Sequence, residues 1–199
     1  NNIDEYTGSR YDEDNTRGDF IDKFFKILGW DVYNDQGLPE DFRDVIREDK
    51  VFIEGHSKSP DYVFKYGKQR YFFIEAKKPS VNIKDGTEPA YQLRRYAHSA
   101  KLSLSILTNF KEFAVYDTRV LPNIKDKPGI SRIFYCTFEE YEKNWDFING
   151  TFSKKAIMND SLKKFTTDSK AIKGTQPLDK GILEMIETWR KSLAENIAL

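Results

Sequence analysis

Two apolar runs on either side of a short turn constrain this chain most. Tyr62-Val63-Phe64 and Tyr71-Phe72-Phe73-Ile74 flank Gly67-Lys68-Gln69. Glycine tolerates the positive φ of a tight turn, and aromatic and β-branched residues favour strands, so the segment predicts a hairpin. Pro60-Asp61 opens its first strand, and its second runs into Glu75-Ala76-Lys77. Strand side chains alternate faces, so Glu75 and Lys77 share a face with Tyr71 and Phe73. Phe72, Ile74 and Ala76 take the other face and read as core. The turn folds the Asp61 strand back, which brings Asp61 beside Glu75.

Two acids and a lysine on adjacent strands suit metal-dependent hydrolysis of a phosphodiester. The acids hold a divalent cation, which activates water and neutralises phosphate charge. The lysine orients the water or stabilises the developing negative charge. The Ala76 carbonyl lies between two such positions and is a further candidate ligand. Hard oxygen donors suit magnesium, with manganese as a substitute, better than zinc. His56, His98 and Cys136 are too few for a zinc site. His56 reads as a loop residue and His98 as an exposed helix residue. The competing reading is a surface hairpin with a solvated end.

A helix is expected from Glu88 to Lys101, with Thr87 as N-cap and Pro89 in the first turn. Gln92 and Tyr96 are four apart and share one face. Both can hydrogen-bond phosphate oxygens or an attacking water without adding charge. Arg94 and Arg95 add positive charge for a polyanion, as do Lys78 and Lys84 in the loop 79–86. The competing reading is an amphipathic helix with solvated arginines.

Pro60-Asp61, Glu75-Ala76-Lys77 and Gln92-Leu93-Arg94-Arg95-Tyr96 together resemble the PD-(D/E)xK nuclease superfamily. The last element is similar to the Gln-x-x-x-Tyr motif of its RecB-like and type I restriction branches. Residues 15–32, 73–84, 90–97, 104–110 and 187–198 resemble the nuclease region of single-chain restriction-modification enzymes of type IIG or IIL. The resemblance implies an α/β, restriction-endonuclease-like core: a central mixed β-sheet flanked by helices, here with a C-terminal helical extension. It implies Asp61 and Glu75 as metal ligands, Lys77 as catalytic lysine, and Gln92 and Tyr96 as auxiliary residues that position DNA. Cleavage of double-stranded DNA would leave 5′-phosphate and 3′-hydroxyl ends. The expected division is an endonuclease domain at 1–150 and a helical connector at 151–199. In such enzymes methyltransferase and target-recognition domains follow, and neither a glycine-rich methyl-donor loop nor an Asn-Pro-Pro-Tyr motif occurs here. These absent domains are expected partners, as is a second copy for cutting both strands. A start at Asn1 without methionine agrees with a trimmed piece. The rivals are an inactive DNA-binding module of the same fold and a repair or junction nuclease.

The first helix is expected from Asp14 to Leu28, ended by Gly29. Its apolar face carries Phe20, Ile21, Phe24, Phe25 and Leu28. Arg17 projects near the centre of that face and Glu13 beside it, with Asp19 and Asp22 opposite. Relatives in the superfamily bring an acid from this helix to the metal site, which makes Glu13 a catalytic candidate. The alternative is an acid favoured by the helix dipole. Residues 31–50 read as loop with a helical turn at 39–45, and Val51 to Glu54 as the first strand of the catalytic sheet. Strands follow at 102–108 and 112–117, an edge strand at 132–138, a helix at 139–148 and a last helix from Leu178. The stripe Leu178, Ile182, Ile186, Trp189, Leu193 and Ile197 fits packing on this domain or docking on a methyltransferase. Charged residues make up 32% of the chain and balance to zero. This fits a locally basic site on a neutral module whose DNA affinity comes largely from other domains. One cysteine excludes an internal disulfide and fits a reducing cytoplasm. No run is long enough to span a membrane.

Overall fold

Strands at Tyr62–Tyr66, Gln69–Ala76 and Leu104–Thr108 are buried along most of their length, as a sheet covered on both faces requires. The computed structural model describes residues 5–6, 11–49, 51–53 and 56–167, with the backbone alone over 51–53, 56–58 and at 167. The chain begins with three consecutive helical segments, together α1: Glu13–Thr16, a π-helical turn Arg17–Ile21, and Asp22–Ile27. Asp12 caps its start through Asn15 N–H at 2.7 Å. Gly29, at φ 88°, ends it. Trp30 N–H then reaches the Phe25 carbonyl at 3.1 Å and Gly29 N–H the Lys26 carbonyl at 3.0 Å. This is the paired C-terminal capping that glycine's left-handed backbone allows.

A 3-10 turn, Glu40–Phe42, leads to β1 (Val45–Arg47), then β2 (Val51–Ile53) and β3 (His56–Lys58). The hairpin follows as β4 (Tyr62–Tyr66) and β5 (Gln69–Ala76), turning at Gly67 with φ 60°. Then come α2 (Thr87–Ser99), β6 (Leu104–Thr108), β7 (Glu112–Asp117), β8 (Arg132–Thr137), a 3-10 turn Phe138–Glu140, α3 (Trp145–Phe152) and α4 (Lys154–Met158). Six strands form one mixed sheet in the order β1-β4-β5-β6-β7-β8. Only the β5–β6 pair is parallel, with α2 as its crossover. β8 is an edge strand, as expected.

Each face of the sheet has its own core. On one side α2 packs Leu93, Tyr96 and Ala97 against Val63, Phe73, Leu107 and Tyr116. On the other, α1 and α3 close over an aromatic layer. Phe64 stacks on Phe72 at 4.6 Å, and Phe25, Trp30 and Phe152 pack around them. Trp30 Nε1–H donates to the Phe152 carbonyl at 2.8 Å, so the ring's one polar atom is satisfied in the core. Phe73 is therefore core as well, although it shares a face with Glu75.

Several expectations need correction. Val45–Arg47 is a strand, the edge partner of β4, and Ile46 pairs with Val63. Three residues are too few for a periodic signal, and the strand exists because β4 offers it an edge. Val51–Ile53 lies in a separate two-stranded sheet with β3, which makes His56 a strand residue. Gly86 is the N-cap of α2 and Thr87 its first residue. The expected helix at 139–148 is a 3-10 turn followed by α3. One compact unit runs to Lys164 and a second comprises 165–199. The expected boundary at 150 falls inside α3, beyond which Phe152, Ile157 and Leu162 are buried. The helix expected from Leu178 lies outside the described residues.

Asp22 is the sharpest correction. It is buried, 1% exposed, and accepts hydrogen bonds from Tyr62 Oη at 2.8 Å, Tyr33 Oη at 2.9 Å and Arg47. A projection of one helix cannot show that three donors on other segments reach its flank. Asp22→Ala strands the hydroxyl of Tyr62, which is 1% exposed, and a buried unsatisfied group costs about 1–3 kcal/mol. Urea unfolding should show a loss of about 2 kcal/mol or more, and an unchanged midpoint would contradict this role.

Candidate active site

The β4–β5 hairpin sets the site. The bend at Asp61 enters β4 opposite the end of β5, where Tyr62 pairs with Ile74. Ala76 N–H donates to Asp61 Oδ2 at 2.6 Å. Parallel pairing with β6 continues to Ala76 opposite Thr108, and Lys77 N–H donates to the Thr108 carbonyl at 2.9 Å. Glu75 and Lys77 thus stand on a backbone held from both sides. Their side chains meet, with Lys77 Nζ 2.7 Å from Glu75 Oε1.

Two helices complete the arrangement. From α2, Gln92 Nε2 donates to the same Glu75 oxygen at 2.5 Å. Tyr96, one turn on, is 6% exposed with its ring in the core beneath the site, so it is core as well as candidate site residue. From α1, Arg17 lies 2.5 Å from Asp61 Oδ1 and 3.0 Å from Glu13 Oε1. Glu13 Oε2 stands 3.9 Å from Lys77 Nζ. The π turn begins at Arg17, and such turns insert a residue into a helix and recur at functional sites.

Three carboxylates, of Glu13, Asp61 and Glu75, therefore face two cations, Arg17 and Lys77. Burial raises the pKa of Glu75 to about 7, with the Asp61 charge adding to the rise and Lys77 opposing it. Asp61 is also raised, by burial first, against the pull of Arg17 and the Ala76 N–H. Burial works against the Lys77 charge, but Glu75, Glu13 and Asp61 outweigh it and hold its pKa above the ordinary value. Glu75 Oε2 is buried and has no hydrogen-bond partner. A buried carboxylate oxygen of this kind beside a second acid suits a cation.

Among the described residues no cluster of three or more His, Cys, Asp and Glu side chains is arranged to hold a metal ion. The available donors are Asp61, Glu75 and the Ala76 carbonyl. Magnesium commonly takes one or two carboxylates and keeps several waters, so this set fits it.

The candidate phosphate-binding cations separate. Lys78 and Lys84 are exposed, and Lys84 Nζ lies 5.8 Å above the Tyr135 ring. Arg95 is half-buried over the rings of Tyr91 and Tyr96, at 5.6 and 5.7 Å. Arg94 is 1% exposed and pairs with Asp126 at 2.8 Å. Its assignment as a DNA contact is corrected, because its guanidinium ties α2 to the loop before β8. His98 is half-buried, with Nδ1 3.1 Å from the Thr118 carbonyl, and not the exposed residue expected. Glu112 was not anticipated. Its buried carboxylate accepts from Ile83 N–H, Lys84 N–H and Tyr135 Oη and so holds the loop carrying Lys84. A glutamate opening a strand gives no sequence signal of this.

The family described as type I restriction enzyme R protein N terminus (HSDR_N) matches residues 35–128. A type II restriction enzyme and methyltransferase of Escherichia coli, RM.Eco57I, is 37% identical over 194 residues. That match covers 96% of this chain and 19% of the relative. The chain resembles a restriction-enzyme N-terminal domain. It spans about a fifth of the length of the curated relative it matches. No solved structure matches.

The raised Glu75 fixes the sign of a pH effect. Between about pH 4.5 and 7 the folded state holds a proton on Glu75 that the unfolded state releases. The stability Glu75 contributes is full below the lower value and lost as pH rises through the upper one. In chelator, the metal-free domain should lose stability across this window relative to Glu75→Gln, which is neutral throughout. Parallel pH profiles of the two proteins would contradict the burial argument.

Proposed function

We propose that this chain is a magnesium-dependent DNA endonuclease domain of the PD-(D/E)xK, restriction-endonuclease-like class, working within a restriction-modification enzyme. The observation that carries the reading is the meeting of Asp61, Glu75 and Lys77 at one end of the hairpin, with the Gln92 amide on Glu75. The restriction-enzyme relatives support DNA as substrate.

Asp61, Glu75 and the Ala76 carbonyl would hold the metal, magnesium with manganese as a substitute. When bound, the ion supplies Lewis-acid charge on the phosphate and lowers the pKa of water. Lys77, charged and held by Glu75, orients the attacking water and offsets charge developing on the phosphate. Gln92 fixes the rotamer of Glu75 by donating to Oε1, which leaves Oε2 as the oxygen that would hold the metal. Tyr96, one turn on, brings its hydroxyl within reach of the Glu75 charge. Glu13 completes the acidic rim and steadies Lys77 and Arg17. Lys78, Lys84 and Arg95 contact flanking phosphates, weakly and without sequence preference. Scission leaves 5′-phosphate and 3′-hydroxyl ends.

The wider assignments go with this reading. The unit that runs to Lys164 carries the nuclease, and the segment 165–199 connects it to methyltransferase and target-recognition domains of the same polypeptide. A second copy cuts the opposite strand. A buried free thiol at Cys136 suits a reducing cytoplasm. No helix among the described residues is long and apolar enough to cross a membrane.

Lys77→Ala should abolish nicking and leave manganese binding nearly intact, whereas Asp61→Ala should lose both. Calorimetry beside a plasmid nicking assay checks this, and near wild-type cutting by Lys77→Ala would refute the lysine's role. Gln92→Ala should cut roughly ten- to a hundred-fold more slowly, the scale of one hydrogen bond to a charged group. Its melting temperature should stay near wild type, and a large drop there would make Gln92 structural.

A further inference from the structure

One residue of the site already sets a fixed positive charge among its acids. The Arg17 side chain is 13% exposed and reaches four carboxylates. Its Nη2 lies 2.5 Å from Asp61 Oδ1 and 3.0 Å from Glu13 Oε1. Its Nη1 lies 3.7 Å from Glu48 and 3.8 Å from Asp14, whose side chains are 71% and 92% exposed. Both oxygens of Asp61 are engaged, Oδ1 by Arg17 and Oδ2 by the Ala76 N–H. Glu75, by contrast, keeps Oε2 without a partner. An incoming cation meets a vacant oxygen on Glu75 and a guanidinium on Asp61.

From this we infer that Arg17 is a built-in counter-cation: its one positive charge offsets part of the charge of Asp61 and Glu13 before metal binds, and it yields Asp61 Oδ1 to a divalent ion. The proposal rests on Asp61 being a metal ligand. Asp61 is largely buried and Glu13 partly so, and two acids held by one guanidinium repel unless a cation lies between them. A fixed guanidinium supplies that charge and keeps the acids preorganised. Its presence also lowers metal affinity, because a positive charge within hydrogen-bond reach of a ligand opposes a second one. The exposed acids Glu48 and Asp14 give the displaced guanidinium somewhere to go. Arg17 is thus a positioning residue that sets the metal concentration at which the site fills.

Three proteins of the full 199 residues test this: wild type, Arg17→Gln and Arg17→Lys. Arg17→Gln should bind Mn2+ about ten-fold more tightly by calorimetry, at the low end of what one adjacent charge shifts in a carboxylate. In chelator it should melt below wild type, and the gap should narrow in saturating Mn2+. Arg17→Lys keeps the charge but loses the fork, so its affinity should stay within about two-fold of wild type. Equal or weaker Mn2+ binding by Arg17→Gln overturns the proposal. A Mg2+ titration of wild type followed by NMR of the Arg17 guanidinium gives a test free of mutation. Its signals should shift in step with the Asp61 carboxyl, and unchanged signals at saturation also overturn the proposal. Wild type that binds Mn2+ while Arg17→Gln fails to tighten leaves the nuclease reading intact. Wild type that binds no Mn2+ removes Asp61 as a ligand, and this proposal with it.

Discussion

The hydrogen bond from the Ala76 N–H to Asp61 Oδ2 is the contact on which the site depends. It ties the bend that enters β4 to the last residue of β5. It faces one acid toward the other and leaves the Ala76 carbonyl available beside both. Pairing with β6, continued by the Thr108 carbonyl, holds the Glu75-Ala76-Lys77 backbone on one side, and Asp61 holds it on the other. Two separately packed cores, one under α2 and one under α1 and α3, then deliver Gln92 and Arg17 to this end of the sheet.

Burial gives these few groups their chemistry. At a solvated hairpin end, Glu75 and Lys77 would form a weak surface pair. With Glu75 2% exposed, its charge is costly unless a cation answers it. Lys77 answers one oxygen, Gln92 supports it, and the other oxygen is left over. Asp61 is answered by Arg17. Acids held by internal cations are the arrangement on which the proposed divalent-ion site rests.

Much of this could be read along the chain where the signal is local. The Gly67 hairpin, the Gly29 stop, the alternation that puts Glu75 beside Lys77, and the spacing of Gln92 from Tyr96 all follow from backbone periodicity. The failures share a cause. β1 is too short to have a period and exists through its pairing with β4. Asp22 and Arg94 are charged residues that a helical projection sends outward, yet each finds a distant partner and is buried. Glu112 organises a loop nearly thirty residues away. Long-range pairing of polar groups leaves no trace in a window of neighbouring residues. The charge balance of the site, which needs Arg17 against Asp61 across 44 residues, belongs to the same class.

The central claim is that Asp61 and Glu75 share one divalent cation. Crystals soaked in manganese and measured at an anomalous wavelength test it most directly. The account predicts a single strong peak between the two carboxylates, at coordination distance from the Ala76 carbonyl, with Arg17 turned away from Asp61. A site left empty at saturating manganese, with Arg17 still on Asp61, would contradict it.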